Sequence, residues 1–297
     1  EEDLKTLINH IENGNIQEIE KLFNSWIHNN KYKQNLINKP YNDGKTALMY
    51  AVENNNFNIV KLLLQNNAQV NVQDNNRKTA LMYALEKSKN NIVNELIKSN
   101  SMPFNKQDED GKTELMYAII SAKNFFFKLK PKYKSAMKKL INNSDVKIQD
   151  NKNTTALMYA VKEIKMIHKA DRIEIIELAE LLIQKITEKT EFNKQDEDGK
   201  TALIHAIEQS NLNEKNKTII PKEYEFIKLL IKKGKDVYGY FGIKDKDGKT
   251  ALDYAKEIKT IKFQKKLKKI KEDLDFNPFN INNFNYTKKE KETIFNI

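Results

Sequence analysis

Apolar residues along the chain fall in short clusters at helical spacing, separated by polar stretches rich in Asn, Asp and Lys. One cluster returns in register. The run Thr46-Ala47-Leu48-Met49-Tyr50-Ala51 recurs in related form from Thr79, Thr113, Thr155, Thr201 and Thr250, and the spacing between these threonines widens from 33 to 49 residues. Each copy predicts a short first helix. A second apolar run follows, as in Ile59-Val60-Lys61-Leu62-Leu63-Leu64, and predicts a second helix ending in a short extended piece such as Val70-Asn71. Four copies are preceded by Asp-Gly, at Gly44, Gly111, Gly199 and Gly248, where a tight turn can use the positive φ that glycine tolerates. Upstream, Leu4 to Ile11, a break at Gly14-Asn15, and Ile16 to Ile27 predict a helix pair without the turn motif. After Asp275 the pattern breaks, with Phe276, Phe279, Phe284, Tyr286 and Phe295 set among Asn and Lys.

The residue choices within the repeat have physical reasons. The motif Thr stands where its hydroxyl can cap the first helix, and the motif Ala and Leu allow close packing of helix pairs. No single repeat can bury its apolar face, so stability must come from stacking neighbours. Six copies with this two-helix layout resemble the ankyrin repeat family, whose signature is Thr-Pro-Leu-His-x-Ala. The resemblance implies an all-α ankyrin-repeat solenoid of stacked helix pairs with hairpin fingers and an irregular C-terminal segment. It implies a capping helix pair over 1–38, six repeats over 39–275, and a tail over 276–297 packing on the last repeat.

The sequence departs from the signature in two places. Its Pro is Ala in five copies and Glu114 in the third, which keeps helix propensity but loses rigidity at the helix start. Its His is replaced by Met49, Met82, Met116, Met158, Ile204 and Asp253. In the family that His takes part in hydrogen bonding between hairpins, so packing is expected in its place, with softer stacking. The longer later repeats carry insertions between their helices. In repeat four these would lengthen each helix by about two turns, roughly 10 Å; in repeat five they form a polar stretch, Ser210 to Thr218, before Pro221.

Composition narrows the function classes. A hydrophobic share of 39% can build a core, and the absence of Cys excludes disulfides, Cys-ligated metal sites and a thiol nucleophile. No apolar run reaches the roughly 18 to 20 residues that span a bilayer. The net charge of +11 is carried by Lys, with Arg77 and Arg172 as the only arginines. Proteins that read nucleic acid lean on Arg, so nucleic acid is not the expected partner. Abundant Lys, Asn and Ile instead suggest the codon bias of an AT-rich bacterium. The first residue is Glu1 rather than Met, as expected where an upstream segment such as a signal peptide has been removed. Location is therefore left open between cytoplasmic and secreted, and a secreted effector acting on another cell's proteins is one expectation.

Candidate chemistry is sparse. His10, His28, His168 and His205 lie in different repeats without metal-ligand spacing, and no phosphate-binding glycine loop occurs. The acidic turns superficially suggest calcium loops, but Lys106 and Ile243 stand where the first ligand would be. No metal, cofactor or enzymatic activity is predicted. The resemblance points instead to a concave binding face made of fingers and first helices. Its candidate residues are the tips Asp43, Lys45, Lys78, Glu109, Asp110 and Lys112, then Glu197, Asp198, Lys200, Lys246 and Lys249. Once per repeat comes a ring, at Tyr50, Tyr83, Tyr117, Tyr159 and Tyr254, with His205 in repeat five. These rings either pack as a seam between repeats or stand open to a partner, the residue type favoured in hot spots. The expected function is a non-enzymatic, monomeric scaffold for an unidentified partner protein. The alternatives are polyanion binding through the Lys-rich stretches Phe125–Lys134 and Lys256–Lys271, or a substrate-receptor part of a larger effector or enzyme.

Overall fold

A computed structural model describes residues 2–26, 28–99, 104–125, 131–165, 172–215, 221–234 and 240–257. The aromatic tail, nearly all of the Lys256–Lys271 stretch, His168, and the side chains of 123–133 lie outside what is described. The described residues contain fourteen α-helices, with isolated bridges at finger bases, such as Gln107 with Thr113 and Lys244 with Thr250, and no strand beyond such bridges. The chain divides into two compact units, Glu1–Asn151 and Lys152–Ile297.

In the first unit, α1 (Glu2–Glu12), α2 (Ile16–Ser25) and α3 (Asn30–Asn38) precede three helix pairs. These are α4 (Ala47–Glu53) with α5 (Phe57–Gln65), α6 (Ala80–Glu86) with α7 (Asn90–Ser99), and α8 (Glu114–Phe125) with α9 (Pro131–Asn142). First helices stack in the order α1, α4, α6, α8, and second helices in the order α5, α7, α9. α3 is not part of the predicted pair. Its Asn29 side chain caps it through the Tyr32 N–H, and Tyr32 places an edge on the Trp26 ring and donates to Asp3 at 2.6 Å. The second unit holds α10 (Ala156–Lys165) with α11 (Arg172–Lys185), α12 (Ala202–Lys215) with α13 (Pro221–Gly234), and α14 (Ala251–Glu257). Here α10, α12 and α14 stack in one row and α11 on α13 in the other. The polar insertion of repeat five is helical as far as Lys215, where α12 ends, and Asn216 to Thr218 lie outside the described residues.

Five of the six first helices start the same way. The hydroxyls of Thr79, Thr113, Thr155, Thr201 and Thr250 accept the N–H three residues on at 3.2–3.3 Å. The methionine that replaces the signature His closes the exchange. Its sulfur accepts the motif Thr N–H at 3.4–3.5 Å for Met49, Met82, Met116 and Met158. In the last copy the Asp253 carboxylate does the same at 2.9 Å. The site is thus a weak acceptor as well as packing.

The fingers are stitched tip to tip. Asn75 donates its N–H to the Asp43 carbonyl at 3.0 Å, Glu109 to Asn76 at 3.2 Å, and Asn151 to Asp110 at 2.9 Å. In the second unit Glu197 donates to Lys152 at 2.8 Å and Lys246 to Asp198 at 2.9 Å. Gly44 and Gly111 have φ near +75°, and a Cβ at either would stand 2.8 Å from the backbone nitrogen of the next finger. Glycine therefore serves both the turn and the approach. Arg77 and Asn153 hold the same left-handed position with a side chain, at φ 58° and 56°.

Candidate functional site

At the base of five of the six fingers sits a carboxylate that the repeat pattern did not single out. Asp74, Asp108, Asp150, Asp196 and Asp245 are all buried. Each lies five residues before a motif Thr. In four of them one oxygen accepts the backbone N–H of the tip residue, at 2.8 Å from Lys78, 2.7 Å from Lys112, 3.0 Å from Lys200 and 2.9 Å from Lys249. The other oxygen receives the ring of the first helix. The hydroxyls of Tyr83, Tyr117 and Tyr254 donate to Asp74, Asp108 and Asp245 at 2.5, 2.7 and 2.6 Å. In repeat five, where the ring is His205, its Nε2 lies 2.7 Å from Asp196.

The tyrosine stripe is thereby tied inward. Tyr83 and Tyr254 are only 6% and 7% exposed, while Tyr50, Tyr117 and Tyr159 are half-buried. Burial and the neighbouring carboxylates push the Tyr83, Tyr117 and Tyr254 hydroxyls well above the ordinary tyrosine value. Tyr50 has no socket carboxylate, because its finger base is Tyr41, and its hydroxyl reaches the Asn42 carbonyl at 3.2 Å.

The tip lysines form a ladder with these rings. Lys45 Nζ lies 6.0 Å from the centroid of Tyr50 and 5.2 Å from that of Tyr83; Lys78 lies 5.5 Å from both Tyr83 and Tyr117. In the second unit Lys200 and Lys249 stand 5.4 and 5.3 Å from Tyr254. Each of these lysines also meets a Glu eight residues on. The pairs are Lys45–Glu53 at 2.8 Å, Lys78–Glu86 and Lys200–Glu208 at 2.9 Å, and Lys249–Glu257 at 2.7 Å. Burial alone would lower the Lys45 and Lys200 ammonium groups, but the facing carboxylates outweigh it and hold both above the ordinary value.

Two repeats break the ladder. In the third, Ile120 takes the Glu position, and Lys112 pairs instead with Asp110 at 2.6 Å. In the fourth, Thr154 replaces the lysine and Lys162 replaces the glutamate; Lys162 then reaches the socket of the next repeat, 2.9 Å from Asp196. Beside the third-repeat break a cleft of about 450 Å³ opens, with Glu109, Tyr117, Ile120 and Ser121 among its lining residues.

The candidate tip residues fall in two groups. Asp43, Glu109, Asp110, Glu197, Asp198 and Lys246 are exposed, as is Asp247 beside them; Lys45, Lys78, Lys200 and Lys249 are half-buried in the ladder, and Lys112 is half-buried beside it. The socket aspartates and the ladder glutamates Glu53, Glu86, Glu208 and Glu257 escaped sequence reasoning. A signal for the sockets did exist. Gln-Asp recurs at 73–74, 107–108, 149–150 and 195–196. The Gln73 amide donates to the Gln107 carbonyl at 2.9 Å, and that of Gln195 to the Lys244 carbonyl at 3.0 Å, stitching neighbouring fingers.

Stacked helix pairs, finger turns and capped first helices define an all-α ankyrin-repeat solenoid. A family profile described as ankyrin repeats in three copies matches residues 2–102, 68–129 and 128–214, more than half of the chain, which therefore belongs to the ankyrin repeat family. Among solved structures it is similar to EF0377, an ankyrin repeat protein, with a TM-score of 0.54 and 23% identity over 77% of this chain and 97% of that one. It is also similar to the ankyrin repeat domain of Bcl-3, described as a unique member of the IkappaB protein family. There the TM-score is 0.59 at 18% identity, over 88% of this chain and 97% of that one. No curated protein matches the sequence significantly. Ankyrin repeats generally mediate protein–protein interaction, and the family is typically a non-enzymatic scaffold. No described helix is long and apolar enough to cross a membrane.

Proposed function

We propose that the chain is a non-enzymatic scaffold that holds a partner protein on its finger and first-helix face. The observation that carries this reading is the division of labour within each finger. The base carboxylate, ring and lysine are spent on internal contacts, while the tips Asp43, Glu109, Asp110, Glu197, Asp198 and Asp247 stay exposed at a spacing held by backbone hydrogen bonds. Within each unit, a row of exposed charges held in this way is a surface that can be read by a complementary partner. The rings support the tips more than they offer area of their own.

The test is affinity capture from the native organism or a candidate host, read by mass spectrometry, with a double variant beside the natural chain. Glu197→Lys with Asp198→Lys reverses one tip without touching a buried group. A partner protein retained by the natural chain and lost by the variant, at equal melting temperature, is the expected result. Retention of nucleic acid or anionic vesicles instead, with affinity falling steeply as salt rises, would replace this reading with polyanion binding.

A further inference from the structure

The cleft beside the third-repeat break is lined by more acid than base. Lys78 and Lys112 both reach the cleft, but Glu86 neutralises the first at 2.9 Å and Asp110 the second at 2.6 Å. Two further carboxylates line the same space. Asp108, 3% exposed, accepts only from uncharged donors, the Lys112 N–H and the Tyr117 hydroxyl, both at 2.7 Å. Glu109, exposed at the tip, has no side-chain partner among the described residues. The equivalent base carboxylate of repeat five, Asp196, has the Lys162 ammonium at 2.9 Å. At Asp108 no ammonium among the described residues plays that part, because the position of the preceding repeat that matches Lys162 is Glu86, a glutamate already engaged with Lys78.

We infer that this cleft receives an arginine or lysine side chain of the partner protein, an assignment that rests on reading the fingers as a protein-binding face. The shape suits such a residue. Tyr117 and Ile120 offer apolar wall to the aliphatic stem, and Asp108 and Glu109 offer charge to the head. A cation entering here would supply the compensation that Lys162 gives Asp196. The chain as a whole carries +11, so a basic segment is repelled over much of the surface and favoured at this locally acidic mouth.

The experiment selects peptides from a displayed random library on the full chain and measures the recovered peptides by calorimetry. The expected result is Arg or Lys at one fixed position. Replacing that residue by norleucine, or introducing Glu109→Lys in the protein, should each lower affinity about tenfold or more, while Glu20→Lys, the same charge change at an exposed position of α2 away from the fingers, changes it less than twofold. Glu109 makes no side-chain bond, so the variant keeps the fold. Filling the cleft with Ile120→Trp should give the same loss. Peptides that bind equally well to Glu109→Lys but are lost on reversing Glu197 and Asp198 would overturn the cleft assignment and leave the finger face standing. Peptides indifferent to every finger variant, or no enrichment at all, would overturn both.

Discussion

Glu114 and Asp196 are both buried carboxylates, at 1% and 5% exposure, one in each unit. Their surroundings drive them in opposite directions. Glu114 stands where other copies carry Ala, and its neighbours are uncharged donors, the Thr79 hydroxyl at 3.4 Å and the Lys106 N–H at 3.1 Å. Burial dominates these bonds and pushes its carboxyl up to about 7. At Asp196 burial acts in the same sense, but His205 and Lys162 outweigh it and hold the carboxyl well below the usual range. Burial sets the cost of a carboxylate, and the charge of its donors decides whether that cost is met.

The largest effect should come from removing the compensated member. Asp196→Ala leaves Lys162, His205 and the Lys200 N–H without their acceptor and should cost about 4 kcal/mol in urea unfolding at pH 7. A loss under about 1 kcal/mol would mean that the Lys162 ammonium and the His205 ring make no net contribution. Because the Asp196 carboxyl is held low, its stabilisation is present above pH 3.8 and disappears as pH falls below that value.

Glu114 should behave the other way round. In the folded chain it holds its proton up to about pH 7, whereas the unfolded residue releases it near 4.5. The folded state therefore binds more protons in that interval, and stability falls as pH rises from about 4.5 to about 7. The loss should approach about 3 kcal/mol. Glu114→Gln keeps an acceptor for the Lys106 N–H and carries no charge, so melting curves of this variant should lack that slope and lie above the natural chain at pH 8. A variant with the same slope would place the titration elsewhere.

Smaller changes sharpen the comparison within the first unit. Tyr83→Phe removes the hydroxyl that donates to Asp74 and should cost about 1 kcal/mol. No loss would mean that the socket is held by the Lys78 N–H alone. Smallest is Arg77→Gly, which places glycine at a left-handed position where Arg77 has φ 58°. It should stabilise by about 0.5 kcal/mol, since relief of strain is partly offset by the freer unfolded chain. Destabilisation would show that the Arg77 side chain contributes packing.

Much of this architecture is legible residue by residue. The period of the motif threonines marks the helix pairs, Asp-Gly marks the finger turns, and Thr marks the helix caps, because each depends on neighbours within about five residues. The helix α3 was not legible, since its pattern over Asn30–Asn38 is mostly polar and its apolar face is only Leu36 and Ile37. The ladder glutamates hid in plain view. A spacing of eight between Lys and Glu spans a turn and a helix, so no single helical or strand period displays it.

The sequence by itself determined the repeat: its length, its turns, its caps and the apolar faces that oblige neighbours to stack. Only the tertiary structure decided what each buried polar group meets. Tyr117 and His205 occupy one repeat position, yet one closes on a carboxylate held by neutral donors and the other on a carboxylate that also receives Lys162 from the preceding repeat. Helix and turn geometry act over a few residues and are written locally. The compensation of a buried charge depends on which side chain the next layer brings within 3 Å, and stacking sets that.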